Sequence, residues 1–376
     1  MIEANIRIIE ELKEFINELK LSPEMRAAFI NGENSFTRVR SLDLDHLISF
    51  IINMPKKSLN IELPDFFEAI NKCNLTCSKA AFSLQRKKLK NEFFNWWNAV
   101  LANSFYSHYE KRIKRWNGFR IIAVDGSTGY LINTPEVVEH FGVSSNQNVS
   151  VPMSRIMCVY DVLNDIIIGS ACLPIKLSEP AILNTWIPSF EQDMLAIYDR
   201  GYTSFATIFL HLQQEREVKF VMRCSNHFNK IVSAFTESKH QDKIVEFNAS
   251  YVAIEDLKKH QYKVNTKTVV KVRLVKVKLD TGEIEIIITN LFDKKVYPRS
   301  IFKGLYFKRW GIETSFDRLK NKFQLEQFSG HKTNNILQDF YAIIFVCNLQ
   351  SLISKQTAEK VDLKTIHRKY KYKINV

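Results

Sequence analysis

Three acidic residues, widely separated along the chain, could together hold divalent metal ions. Asp125 and Asp199 each follow a short apolar run, and Glu313 lies in a segment with helical spacing. Two divalent ions about 4 Å apart need bridging and terminal carboxylates, which distant acids can supply. Such ions activate a water or a 3′-hydroxyl and stabilise the leaving oxygen of an in-line displacement. Because neither a Walker-type phosphate loop nor a Ser/His/Asp triad competes with them, the acids predict metal-assisted phosphoryl transfer.

The segment around Glu313 has the spacing of one amphipathic helix. At about 100° per residue, four polar residues share an arc of roughly 60°: Tyr306, Arg309, Glu313 and Lys320. An apolar stripe adjoins this arc: Leu305, Ile312, Phe316, Leu319 and Phe323. Such a helix can pack on a sheet and present one carboxylate flanked by donors that follow roughly 21 Å of phosphate backbone. The alternative is a surface helix with solvated Arg and Lys, and Asp317, which borders the arc, is a second candidate acid.

Short strands interleaved with helices must position the two aspartates. The run 120–124 ends at Asp125-Gly126-Ser127, which predicts a strand followed by a turn, and 193–198 predicts a strand that ends at Asp199. This alternation predicts a mixed α/β sheet with both aspartates at carboxyl ends of strands, where ligands commonly bind. The predicted regions are a helical DNA-binding part in 1–116, a core in 117–224, a β-rich insertion in 225–297, the signature helix in 298–330 and a helical, basic tail in 331–376.

The composition favours a folded protein with a polyanionic partner. The 376 residues include 53 Lys and Arg against 40 Asp and Glu, a net charge of +13, which makes nucleic acid the first candidate. Hydrophobic residues at 45% and charged residues at 25% exclude wholesale disorder. The scattered cysteines lack zinc-ligand spacing, and no run approaches eighteen consecutive apolar residues. We therefore expect an intracellular protein with reduced thiols and no membrane span.

A basic helix in the N-terminal region is a candidate DNA-binding element. Leu63–Asn71 and Thr76–Lys90 read as two helices joined by a short polar turn, and the second is rich in Lys and Arg. One interpretation is a helix-turn-helix whose second helix enters a major groove, with Arg86 and Lys87 as DNA contacts. The other is a basic amphipathic helix with a solvated face, and the sequence favours neither.

Three motifs together resemble a known family. They are Val124-Asp125-Gly126-Ser127-Thr128, Asp199-Arg200-Gly201-Tyr202 and Tyr306-x2-Arg309-x3-Glu313-x6-Lys320. This set resembles the DDE transposases of bacterial insertion sequences that carry the YREK signature, most closely the large family numbered four. The resemblance runs from about Phe36 to the C-terminus.

The resemblance implies a fold, a chemistry and partners. The fold is α/β: a ribonuclease-H-like catalytic core with a β-rich insertion and a helical N-terminal DNA-binding region. The implied catalytic and metal-binding residues are Asp125, Asp199 and Glu313, with two Mg²⁺ ions for which Mn²⁺ can substitute. Tyr306, Arg309 and Lys320 match positions that contact DNA. The implied partners are double-stranded DNA, as terminal inverted repeats and target, and a second copy in a synaptic homodimer in the bacterial cytoplasm, associated with the nucleoid.

Three hypotheses remain open at this stage. The first is a cut-and-paste transposase that cleaves the ends of its element and joins them to target DNA. The second is a catalytically silent DNA-binding relic or a truncated inhibitor, since family members often continue for a further helical stretch after His367–Lys373. The third is a nuclease of the same fold that cuts without strand transfer.

Overall fold

Helices make up the first third of the chain and cover a central sheet in the rest. The computed structural model describes residues 2–38, 40–53, 56–145, 149–213 and 217–365. In chain order the helices are α1 Ile2–Leu21, α2 Pro23–Phe29, α3 Leu44–Ile52, α4 Leu59–Ala69, α5 Lys79–Arg86, α6 Glu92–His108, α7 Pro135–Phe141, α8 Glu179–Trp186, α9 Phe205–Leu212, α10 Lys230–Glu237, α11 Tyr251–Lys259, α12 Ile301–Phe307, α13 Trp310–Asp317 and α14 Thr333–Thr365. The apolar faces of α1, α3 and α6 form one core with α14.

The described residues form one mixed sheet of nine strands. These are β1 Arg120–Tyr130, β2 Val143–Ser145, β3 Ser150–Asp161, β4 Ile166–Pro174, β5 Met194–Tyr198, β6 Lys219–Cys224, β7 Asp242–Asn248, β8 Val269–Lys278 and β9 Ile284–Thr289. Their order is β2-β3-β1-β5-β6-β9-β8-β7, and β4 also pairs with β3. β4, β3 and β1 are antiparallel, whereas β5 and β6 run parallel to β1. This mixed sheet fits the expected ribonuclease-H-like core.

The segment predicted as a β-rich insertion extends the central sheet. β8 and β9 form a hairpin around Asp280-Thr281-Gly282, and Gly282 takes the positive φ of +91° that a tight turn requires. β9 pairs with β6, so β7, β8 and β9 continue the sheet rather than forming a separate one. Val270 and Leu274 of β8 share a buried cluster with Phe209 of α9. The three strands of the segment 225–297 are therefore part of the central sheet.

The predicted continuous signature helix is wrong, because the chain breaks it twice. α12 ends at Phe307 and α13 begins at Trp310, and the turn between them is closed by three-residue hydrogen bonds such as the one from the Arg309 N–H to the Tyr306 carbonyl. A π-helical turn, Arg318–Lys322, follows α13. The apolar stripe is nevertheless buried as predicted, with Ile312 fully enclosed. Packing of the stripe on the sheet thus tolerates both irregularities.

α14 contains a long apolar stretch. Within the described chain, its stretch Thr333–Thr357 is long and apolar enough to cross a membrane, and an 18-residue window in it has a mean hydropathy of 1.5. However, 67% of that window is buried inside the fold. Burial of this kind is typical of a core helix, which passes the same length and composition test. The predicted basic tail His367–Lys373 lies outside the described residues.

Arg86 is buried, which corrects its predicted role as a DNA contact. Only 1% of the residue is exposed, and its guanidinium contacts Asp339 at 2.6 Å, Gln338 at 2.6 Å and Ser329 at 2.7 Å. These partners compensate the charge and bind the N-terminal helices to α14 and the loop before it. The link from α4 to α5 is also longer than the turn of about 3–4 residues in a helix-turn-helix. Lys87, by contrast, is exposed.

Replacing Arg86 by alanine is expected to lower the free energy of unfolding by about 3–5 kcal/mol. The change leaves the buried Asp339 carboxylate without its cationic partner, and removing one member of a buried pair is strongly destabilising. Equilibrium denaturation with guanidinium chloride measures the loss. The neighbouring substitution Lys87→Ala is the control and should change stability by less than about 0.5 kcal/mol. Equal stabilities for the two variants would contradict the structural role of Arg86.

Candidate active site

The register of two parallel strands brings Asp125 and Asp199 side by side. Ala123 of β1 lies level with Ile197 of β5, so two residues further along each strand the aspartates are at the same height. Neighbouring strands lie about 4.8 Å apart. Asp199 follows the end of β5, as predicted. The turn predicted after Asp125 is wrong, because β1 continues to Tyr130 through its pairing with β3, in which Asp125 lies opposite Cys158.

The signature residues Tyr306, Arg309 and Glu313 converge on these aspartates. The Tyr306 hydroxyl donates to Oδ1 of Asp199 at 3.3 Å. The Arg309 guanidinium donates to the Glu313 carboxylate, and its Nη1 lies 3.8 Å from Oδ2 of Asp125. Arg309 therefore links Glu313 to Asp125, while Tyr306 contacts Asp199.

Lys320 lies apart from this group, along the edge of β1. Its ammonium donates to the Thr128 carbonyl at 2.7 Å and lies 3.8 Å from the Glu326 carboxylate. Thr128 is beyond the point where β5 ends, so this carbonyl has no strand partner on that side. The π-helical turn before Phe323 separates Lys320 from the arc that it was predicted to share with Glu313. Lys320 remains partly exposed beside the site.

The electrostatics of Asp125 are those of a carboxylate that lacks a full counter-charge. Burial raises the pKa of Asp125 to about 6, and the backbone N–H of Gly126 and the guanidinium of Arg309 only partly oppose this shift. The nearby carboxylates of Glu179 and Glu313 raise the pKa of Asp125 further. A cation at this position would relieve the repulsion among these groups.

The donor chemistry suits a hard divalent cation, although the acids do not form a metal cluster in this conformation. Carboxylate oxygens are the ligands that Mg²⁺ and Mn²⁺ prefer. Among the described residues, no group of three His, Cys, Asp or Glu side chains is close enough to hold a metal ion. In this conformation Arg309 pairs with Glu313 and approaches Asp125. Asp125 and Asp199 are the two acids that the register of β1 and β5 brings to the same height.

Glu179, at the first turn of α8, belongs to the site and was not singled out from the sequence. Its carboxylate accepts hydrogen bonds from Tyr202 at 2.7 Å and Arg155 at 2.8 Å. It also fills the space where a Cβ on Gly126 would lie, 2.3 Å from the carboxyl carbon. An acid at a helix N-terminus is common, so Glu179 itself gives no sign of this role in the sequence. Its contact residues Tyr202 and Gly126 both belong to the sequence motifs.

The mixed sheet and the acidic residues on its central strands fit the ribonuclease-H-like core that the sequence led us to expect. The family described as Transposase DDE domain matches residues 116–349, more than half of the 376-residue chain. The chain therefore belongs to the DDE-domain transposases, which are proteins of DNA transposition. The prediction of a DDE transposase is confirmed, and the narrower assignment to insertion-sequence family four stays a prediction.

Among solved structures, the chain is similar to a piggyBac transposase in a cryo-EM structure of its synaptic complex with hairpin DNA. The two chains are 11% identical, with a TM-score of 0.47, over 91% of this chain and 75% of the other. No curated protein matches the chain. The family assignment accordingly depends on the matched domain.

Proposed function

We propose that the protein is a cut-and-paste transposase of insertion-sequence family four with the YREK signature. It binds the terminal inverted repeats of its element, nicks the ends with divalent metal and transfers the freed 3′-hydroxyls into target DNA. The working form is a synaptic homodimer in the bacterial cytoplasm, associated with the nucleoid. The observation that carries the proposal is the convergence of Tyr306, Arg309 and Glu313 on Asp125 and Asp199.

Asp125, Asp199 and Glu313 are the residues that would hold the metal. Mg²⁺ or Mn²⁺, when bound as a pair of ions, supplies the activation of the attacking hydroxyl and the stabilisation of the leaving oxygen. Asp125 lies on β1, and Asp199 directly follows the adjacent strand β5, so the packed sheet holds both backbones in place before DNA arrives. Glu313 lies on a helix and is 40% exposed, which leaves its side chain room to turn toward the aspartates.

Arg309 links DNA binding to the availability of the Glu313 carboxylate for metal. Its planar guanidinium fits phosphate as well as carboxylate, with two parallel hydrogen bonds in either case. A DNA phosphate at the site therefore competes with Glu313 for Arg309 and leaves the Glu313 carboxylate free. Tyr306 and Lys320 flank the same surface and supply further phosphate contacts. In the DNA-free protein, Arg309 neutralises the acids that would otherwise repel one another.

The test of this function is an end-processing assay with the full chain. A labelled duplex that carries the inverted repeat flanking the gene is incubated with protein and Mg²⁺, and the strands are separated by denaturing electrophoresis. A transposase gives a nick at the element end and then a joined product with target DNA. Binding without a nick would instead indicate the relic or inhibitor, and a nick without joined product would indicate a nuclease of the same fold.

Lys87→Ala is expected to reduce the salt dependence of end binding while the fold stays intact. Each neutralised phosphate contributes about 0.9 to the slope of log affinity against log salt concentration, so loss of one contact lowers the slope by about that amount. Lys87 is exposed at the end of α5 and can make such a contact. Gel-shift titrations between low and high salt measure the slope. An unchanged slope would assign Lys87 to a solvated face.

As a matched control, Lys303→Ala removes another exposed lysine, which pairs with Asp280 on the hairpin turn. It should leave both affinity and slope at the wild-type values. A decrease for both variants would indicate a general effect of net charge rather than a contact at α5.

A further inference from the structure

Glu179 connects the elements that carry the two catalytic aspartates. Tyr202 lies three residues after Asp199, and its hydroxyl donates to Oε2 of Glu179. Arg155 on β3 donates to Oε1, so both carboxylate oxygens are engaged. The Glu179 carboxylate also packs against Gly126, the neighbour of Asp125 on β1. One side chain on α8 therefore contacts β1, β3 and the turn after β5.

The contact between Glu179 and Gly126 depends on the absence of a side chain at position 126. A side chain at position 126 would place Cβ 2.3 Å from the carboxyl carbon of Glu179 and 2.6 Å from each of its oxygens. Contacts below 3.0 Å force a displacement, and here the atoms that would move are the end of the Glu179 side chain, so a larger residue at position 126 would push the carboxylate away from β1. Gly126 has no positive φ to explain its presence by backbone conformation. The space that it leaves is occupied by the carboxylate.

Tyr202 is one of the anchors of the turn after Asp199, beside the Thr203 hydroxyl, which donates to the Arg223 carbonyl at 2.6 Å, and the Tyr306 hydroxyl, which donates to Asp199. Tyr202 is only 2% exposed, yet its hydroxyl has a single strong acceptor in Glu179 and a weak one in the sulfur of Met157 at 3.9 Å. In the short 3₁₀ turn Arg200–Tyr202, the backbone N–H of Tyr202 donates a hydrogen bond to the carbonyl of Asp199. The position of the Tyr202 backbone therefore affects the position of Asp199. Displacement of Tyr202 would therefore move Asp199 relative to Asp125.

We propose that Glu179 is a positioning residue of the catalytic centre, which fixes the separation of Asp125 and Asp199 through Tyr202 and Gly126 and thereby sets the affinity for the divalent cation. This inference rests on the proposed function. Groups that orient metal ligands from outside the ligand set typically contribute about 10–100-fold to metal affinity. Arg155 forms an ion pair with Glu179 and holds its carboxylate in place beside Gly126.

The test compares Mn²⁺ binding by full-length variants, measured by electron paramagnetic resonance of free Mn²⁺, with and without a terminal-repeat duplex. Glu179→Ala and Tyr202→Phe are each expected to raise the dissociation constant for Mn²⁺ about tenfold, at the low end of that range. The Mn²⁺ concentration for half-maximal nicking should rise by the same factor. Tyr202→Phe removes the hydrogen bond to Glu179 without removing a charge. It therefore provides the same test if Glu179→Ala does not fold.

A matched control is Glu191→Ala. Glu191 also pairs with an arginine, Arg120 at 2.9 Å, but it lies before β5, at the opposite end of the strand from Asp199. This variant should bind Mn²⁺ as the wild type does. Glu179→Gln keeps an acceptor oxygen for Tyr202 and should recover part of the affinity that Glu179→Ala loses.

The possible outcomes separate the inference from the proposed function. Variants at Glu179 and Tyr202 that unfold at lower temperature but keep the wild-type Mn²⁺ affinity would overturn the inference alone, since their role would then be purely structural. A wild type that binds Mn²⁺ but never nicks DNA would overturn the proposed function, while the binding series would still decide the role of Glu179. A wild type without saturable Mn²⁺ binding in either condition would overturn both.

Discussion

Replacing Asp125 or Asp199 by asparagine is expected to reduce nicking of element ends by at least about a thousandfold, or about 4 kcal/mol of transition-state stabilisation. Asparagine keeps the shape of the side chain and removes the charge that a divalent cation needs. End binding should survive, because affinity comes mainly from phosphate contacts by Lys and Arg. Single-turnover nicking of a labelled end substrate and a parallel gel shift measure the two effects.

The control for this pair is Asp280→Asn, which changes an exposed aspartate in the turn between β8 and β9. Its nicking rate should equal that of the wild type. Wild-type rates in the variants at Asp125 or Asp199 would refute the assignment of these residues, whatever the result for the control.

Glu313→Gln is expected to eliminate metal-dependent nicking, whereas Asp317→Asn should keep most of it. Glu313 contacts Arg309 at the centre of the site. Asp317 is exposed and accepts a hydrogen bond from the Asn321 side chain at 2.6 Å, one turn along. A bond of that kind on an exposed helix contributes less than about 1 kcal/mol. Nicking rates at equal folded concentration compare the two variants.

The reverse pattern, with Asp317 essential and Glu313 dispensable, would mean that the signature spacing matches by accident. Loss of activity in both variants would point instead to a requirement for the negative charge of the whole helix. A fold check by circular dichroism separates either result from misfolding.

Much of the sheet could be predicted because local patterns determine its central strands. The run before Asp199 is apolar throughout and becomes β5, buried on both faces. The far half of β1 could not be predicted, because Gly126, Ser127 and Thr128 have the composition of a turn. They are extended only because β3 pairs with them. The register that aligns the two aspartates likewise depends on contacts between distant strands.

The error at Arg86 has a different physical origin. Arg86 and Lys87 are adjacent in a basic run, and nothing local distinguishes the buried side chain from the exposed one. The partners that make burial possible, Gln338 and Asp339, lie about 250 residues away, with separations of 252 and 253. Helical periodicity indicates which residues share a face of a helix, but it does not indicate which charged residue on that face has a buried partner of opposite charge. The same holds for Glu179, whose role depends on Arg155 and Tyr202.

The packing of α6 on α14 bears on whether the catalytic region can exist as an autonomous module. The matched domain begins at residue 116, after α6 has ended. Yet Trp97 of α6 stacks on Phe345 of α14, with ring centroids 3.9 Å apart, and Asn348 donates to Asn98 at 2.7 Å. A fragment without the first helices would expose this apolar seam to water. The N-terminal helices and the catalytic core therefore constitute one cooperative folding unit, and exchange of the helical region between relatives would require matching changes along α14.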